Sequence, residues 1–168
     1  MNTGNLSIKI LFVCLGNICR SPAAEEIARV KLNQMLEGQS LFIDSAGIIN
    51  FHEGKSADAR MIHHARERGY HLKSVSRPVQ IDDFEQFDFI LAMDNRNFLD
   101  LIELCPREEY RAKIMKLCSF ISSDSDFSKY SEVPDPYYGG SEGFELVIDI
   151  LESSMSGLGQ FIQKKGLS

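Results

Sequence analysis

The chain has 168 residues, of which 43% are hydrophobic and 25% charged, and a formal net charge of −6. That length suits one domain with its own core, so residues 1–168 read as a single domain with residues 1–6 as a flexible N-terminal extension. The acidic balance argues against nucleic acid or an anionic membrane as partner, no segment has the length of a membrane span, and four cysteines are too few for a disulfide scaffold and point to a reducing, cytoplasmic setting.

Ile8 to Val13 is a short β-branched run, read as a buried parallel strand. It does not read as a signal peptide, since Lys9 interrupts it and bulky Val13 stands where cleavage needs a small residue. Ser21-Pro22 has the form of an N-cap followed by proline at the first helical position, and an apolar face runs from Ala24 through Leu36. Leu41-Phe42-Ile43 is a second strand, ended by Asp44-Ser45-Ala46-Gly47. Ser56 to Arg68 reads as a helix stopped by Gly69, Phe87 to Met93 as a third strand, and Asn95 to Leu104 as a helix closed by Pro106. Lys113 to Leu117 gives a fourth strand, Ser119 to Pro134 a polar surface loop, and Phe144 to Ile162 a long amphipathic helix. Strand-helix alternation of this kind predicts an α/β fold: a four-stranded parallel sheet with helices on both faces, three layers in all, its ligand site beyond the carboxyl ends of the strands.

Cys14 to Arg20 follows the first strand, in that expected place. Gly16 would let the backbone turn through positive φ, and Asn17 tolerates the same conformation while offering an amide to pin the turn. Successive N–H groups can then form an anion nest, reinforced by the following helix N-terminus. Arg20 can bind two oxygens of a phosphate with its planar fork, and the same field favours the thiolate of Cys14. Ser21 is placed to hydrogen-bond that sulfur. A lone cysteine and arginine at this spacing would more simply be a buried inert thiol and a surface charge. Here the strand, the glycine and the helix start agree with one another. Zinc-site spacing is missing, so no metal is expected.

A sulfur nucleophile needs a general acid for a poor leaving group. Asp135 lies between Pro134 and Pro136, which stiffen its loop, and Tyr137-Tyr138 offer an aromatic wall for a flat substrate. A turn with incidental tyrosines is the plainer reading of that segment alone.

Taken together, Cys14-Leu15-Gly16-Asn17-Ile18-Cys19-Arg20-Ser21-Pro22 resembles the active-site signature of the low-molecular-weight protein tyrosine phosphatases, and Asp135-Pro136-Tyr137-Tyr138 resembles their general-acid loop. Ser45-Ala46-Gly47 and Ala92-Met93-Asp94 also fit the pattern, so the resemblance spans nearly the whole chain. It implies a flavodoxin-like doubly wound fold and hydrolysis of phosphotyrosine in proteins or peptides without cofactor or metal. Cys14 would attack phosphorus to give a phosphocysteine, Asp135 would protonate the phenolate and then activate water, and Arg20 with the loop from Leu15 to Cys19 would hold the phosphate or a similar oxyanion. Asn17 and Ser45 would brace the loop, and Phe51, where relatives often carry tryptophan, would line the cleft with Tyr137 and Tyr138. Ser74 stands where many relatives have a histidine. The implied assembly is a monomer or weak homodimer.

Two rivals share the loop. Thioredoxin-linked arsenate reductases relay oxidation through further cysteines, but Cys105 and Cys118 are far apart in sequence and read as structural. Protein-arginine phosphatases tend to carry threonine at the position of Ile18, so Ile18 with Tyr137-Tyr138 favours an aryl phosphate. A non-catalytic phosphate-binding module would not need Cys14, Arg20 and Asp135 together.

Overall fold

The structure, a computed structural model, describes residues 6–166. The expected N-terminal extension therefore lies, except for Leu6, outside the described residues. In chain order the elements are β1 (Ile8–Cys14), α1 (Arg20–Met35), β2 (Leu41–Gly47), α2 (Ala59–Glu67), α3 (Ile81–Gln86), β3 (Phe89–Ala92), α4 (Asn95–Leu104), β4 (Ile114–Lys116) and α5 (Ser141–Gly166). Short 3₁₀ turns flank β4 at Glu108–Lys113 and Leu117–Phe120. The four strands form one parallel sheet in the order β2-β1-β3-β4, the α/β arrangement anticipated from the alternation.

Because side chains alternate across a strand, β1 serves two cores at once. Ile10 and Phe12 join Ile27, Leu32, Val147, Leu151 and Leu158 on the face covered by α1 and α5, while Leu11 and Val13 join Phe84, Ile90 and Leu101 on the face covered by α3 and α4. Both faces are thus closed, and the strand's only free direction is its carboxyl end at Cys14. The order reverses between β1 and its two neighbours, β2 and β3, which opens the crevice there.

Several boundaries differ from the sequence expectation. Cys19, not Ser21, is the N-cap of α1, and no side chain caps it; Ser21 lies inside the first turn, where its hydroxyl has a different partner. β2 runs on through Asp44 and Ser45 to Gly47, because each of its residues is paired with β1 up to Cys14, and tertiary pairing outweighs the poor strand propensity of Asp and Gly. α2 begins only at Ala59: the Asp58 carboxylate accepts from Arg60 N–H at 2.8 Å, and Ser56 instead bridges to Val75. α3 was not foreseen; the Asp83 carboxylate reaches back to the Gln80 N–H at 2.8 Å and closes its start. β3 is correspondingly shorter than Phe87–Met93.

Gly157 marks the tightest helix contact. A Cβ there would stand 1.9 Å from the Phe120 carbonyl oxygen, so the backbone of the Leu117–Phe120 turn lies directly against α5. Gly157→Ala must push that turn away, and an overpacking cost of about 1–3 kcal/mol or more is expected. Urea unfolding should show the lower midpoint; an unchanged midpoint would contradict the contact.

Candidate active site

The site is built at the end of β1. Cys14 is 3% exposed and forms the floor of a cleft of about 230 Å³, walled by Leu15, Gly16, Ile18, Cys19, Arg20, Ile49, Phe51, His52, Asp135, Tyr137 and Tyr138. Asn17 takes the left-handed turn itself, with φ of 57°, and its N–H points to Cys14 Sγ at 3.3 Å. The positive φ expected of Gly16 is not there. Gly16 is small for another reason: a Cβ would come within 3.1 Å of the His52 ring.

Asn17 and Ser21 do not line the cleft; both are buried behind it. Ser21 Oγ lies 3.0 Å from Cys14 Sγ, and the Asn17 side-chain amide donates to Ser21 at 2.8 Å and to Ser45 at 3.0 Å. Its oxygen accepts from the Arg77 N–H at 3.0 Å. Ser76, which the sequence did not single out, donates to the Gly16 carbonyl at 3.1 Å. Ser74 lies elsewhere, in a surface depression with Asp44 and His71. The loop is therefore braced from Ser45, Ser76 and Arg77.

Arg20 is 3% exposed, yet its charge is fully met. Nη1 donates to Asp94 Oδ2 at 2.6 Å and to the Val133 carbonyl at 3.1 Å, while Nη2 lies 3.6 Å from Asp135 Oδ2. Burial works against the guanidinium charge, but Cys14 and Asp94 outweigh it and hold the group above its ordinary range. Asp94 is the partner sequence reasoning missed as such. Its other oxygen caps α4 by accepting from the Asn97 N–H at 2.7 Å, so one carboxylate fixes both a helix start and the guanidinium.

Val133 anchors the loop that carries Asp135. Its N–H donates to the Met93 carbonyl at 2.8 Å, its side chain is fully buried, and Asp135 follows two residues later with Oδ1 accepting from the Tyr137 N–H at 3.1 Å. Asp135 keeps 43% of its side chain exposed toward the cleft mouth. The Arg60 guanidinium carbon lies over the Tyr137 ring, 5.3 Å from the ring centroid, whereas Tyr138 and Phe51 are largely solvent-exposed at the rim. Cys19 is a poor rival for Cys14: burial first, then Asp58, pushes its thiol far up, so it stays protonated. Burial likewise pushes Cys118 up to about 11.

This arrangement sets a buried sulfur on the floor of a cleft with a buried guanidinium beside it. Residues 9–167 match the model for the low molecular weight phosphotyrosine protein phosphatases. A Synechocystis protein carrying the low molecular weight protein-tyrosine-phosphatase name is 44% identical over 90% of this chain and 94% of its own. The low molecular weight phosphotyrosine protein phosphatase of Schizosaccharomyces pombe is 39% identical over 89% of this chain and 94% of its own. Among solved structures, the Entamoeba histolytica protein tyrosine phosphatase with Hepes in its active site superposes with a TM-score of 0.88, at 47% identity over 95% of this chain and 99% of that one. The chain belongs to the low molecular weight protein-tyrosine-phosphatase family.

Proposed function

We propose that this member of the family hydrolyses phosphotyrosine in proteins or peptides through a phosphocysteine on Cys14, with Arg20 holding the phosphate and Asp135 as general acid and then general base. The observation that carries the reading is depth. Cys14 is almost wholly buried on the floor of the cleft, while Phe51 and Tyr138 stand exposed at its rim. A phenyl spacer bridges that depth and slots between aromatic walls; the short side chain of phosphoserine does not.

The contacts support the following sequence of events. The phosphate oxygens take the loop N–H groups and the Arg20 guanidinium, which stabilise the charge developing on them. Sulfur attacks phosphorus, and the tyrosyl oxygen leaves with the proton of Asp135. Water then attacks the phosphocysteine as Asp135 takes its proton, and Ser21 Oγ, 3.0 Å from Sγ, stabilises the departing thiolate. Similarity to a structure with Hepes in its active site supports an oxyanion ligand. Vibrio vulnificus Wzb, solved in complex with benzylphosphonate, superposes at a TM-score of 0.74 with 28% identity over 92% of this chain and 99% of that one. Benzylphosphonate there supports an aryl substrate here. Four unpaired cysteines support a cytoplasmic setting; among the described residues, no helix is long and apolar enough to cross a membrane.

The test is hydrolysis of matched phosphotyrosine, phosphoserine and phosphoarginine peptides in chelator. Phosphotyrosine should be cleaved far faster than the other two; preference for phosphoarginine or phosphoserine contradicts the proposal. Asp135→Asn should slow a phenyl phosphate ester by about 10²–10⁴-fold and an ester with a very good leaving group much less, since only the first needs the proton. Equal slowing of both esters argues against the acid role.

A further inference from the structure

Asp135 is held from one side by Val133, which is buried, but from Tyr137 to Gly140 the chain faces solvent. A Cβ on Gly140 would meet nothing within 4 Å, so little packing restrains that end of the loop. The Tyr137 ring, however, has a partner from another element. The Arg60 guanidinium carbon, 5.3 Å from its centroid, is also 4.8 Å from that of Phe144 in the first turn of α5. Arg60 is itself fixed: Nε donates to Asp58 Oδ1 at 3.1 Å and Nη2 to Asp58 Oδ2 at 2.9 Å, a two-point hold on a planar group. Asp58 is tied to the cleft in turn, since its N–H donates to the Ile18 carbonyl at 2.8 Å. The guanidinium therefore stands on a helix start pinned to the loop around Cys14 and reaches across to the loop that carries Asp135.

We propose that Arg60 is a positioning residue for Asp135: by holding the Tyr137 ring it fixes the backbone N–H that orients the Asp135 carboxyl group. This rests on the reading of Asp135 as the general acid. The Tyr137 N–H donates to Asp135 Oδ1 at 3.1 Å. With Oδ1 accepting that bond, Oδ2 is left to carry the proton that the acid must give. Oδ2 is also the oxygen nearer Arg20, 3.6 Å from its Nη2, and so faces the place where phosphate is held. Arg60 does not line the cleft and acts only through Tyr137. Without the cation the ring loses its seat, and the glycine-ended loop lets the carboxyl group drift from the leaving oxygen. Proton transfer then suffers, whereas attack by sulfur, which depends on Cys14, Arg20 and the residues between them, does not.

The experiment compares kcat/KM for phenyl phosphate with that for dinitrophenyl phosphate, whose leaving group departs without a proton. Both are aryl esters, so damage to the aromatic wall slows both alike and cancels in their ratio. Loss of acid assistance slows only the first and lowers the ratio. Arg60→Met keeps the length of the side chain and removes the cation, and Tyr137→Leu removes the ring it holds. Each should lower the ratio about fivefold, the worth of a cation over a partly exposed ring. Placed on Asp135→Asn, which has no acid left to position, Arg60→Met should change the ratio no further. Tyr137→Leu gives the test even if Arg60→Met does not fold. An unchanged ratio in either variant, or a further fall when Arg60→Met is added to Asp135→Asn, overturns the positioning role. A ratio that Asp135→Asn alone fails to lower would instead overturn the reading of Asp135 as the acid.

Discussion

Cys14→Ser is expected to abolish hydrolysis of aryl phosphates, with a loss of at least about 10⁴-fold, while the fold and the phosphate site survive. The surroundings of Cys14 are those of an anion: an N–H at 3.3 Å, a serine hydroxyl at 3.0 Å and a buried guanidinium across the cleft. Serine keeps the shape, but an alcohol oxygen is a weaker nucleophile and a poorer leaving group than sulfur. Steady-state turnover in chelator measures the loss, and inorganic phosphate binding by calorimetry checks that the cradle persists. Residual turnover within an order of magnitude of wild type contradicts nucleophilic catalysis by Cys14.

Arg20→Lys should be nearly as damaging, by on the order of 10³-fold in kcat/KM. The guanidinium has donors for three tasks at once: Asp94 at 2.6 Å, the Val133 carbonyl at 3.1 Å, and an incoming phosphate. An ammonium is a point charge on a flexible stem and cannot span them as a fork. Held by Asp94, it leaves the phosphate; turned to the phosphate, it releases Val133 and with it the loop that carries Asp135. The variant should therefore also lose sensitivity to leaving group, because the acid is no longer held in place. Comparing phenyl phosphate with an activated ester reads this directly. A lysine variant that retained both rate and leaving-group dependence would show that bidentate holding is not what Arg20 supplies.

How much of this was legible beforehand depends on the range of the interactions. β1 and α5 could be read because burial alone dictates an uninterrupted apolar run or a helical stripe. α3 was missed because six residues, Ile81 to Gln86, are too few to show a period, and its start is closed by Asp83 reaching back rather than by a familiar Ser or Thr cap. β2 was cut short at Ile43 since Asp44-Ser45-Ala46-Gly47 reads as a turn; only its partner β1 keeps it extended. The cleft floor was legible for the opposite reason, as Cys14 to Arg20 are contiguous and their chemistry is local. Its supports were not. Asp94 and Ser76 reach Arg20 and Gly16 from other elements, and nothing in their own neighbourhoods distinguishes them from ordinary polar residues. Gly16 shows how a correct residue can carry a wrong reason: the turn through positive φ belongs to Asn17, and the glycine makes room for His52.

The central step of the proposed reaction is a covalent phosphoryl group at Cys14. Rapid acid quench of the enzyme during turnover of an aryl phosphate, followed by mass spectrometry of its peptides, tests this most directly. Phosphate bonded to Cys14, appearing in a burst and absent from Cys14→Ser, is the predicted result. Turnover that proceeds with no phosphoryl group on Cys14, or with one on another residue, contradicts it.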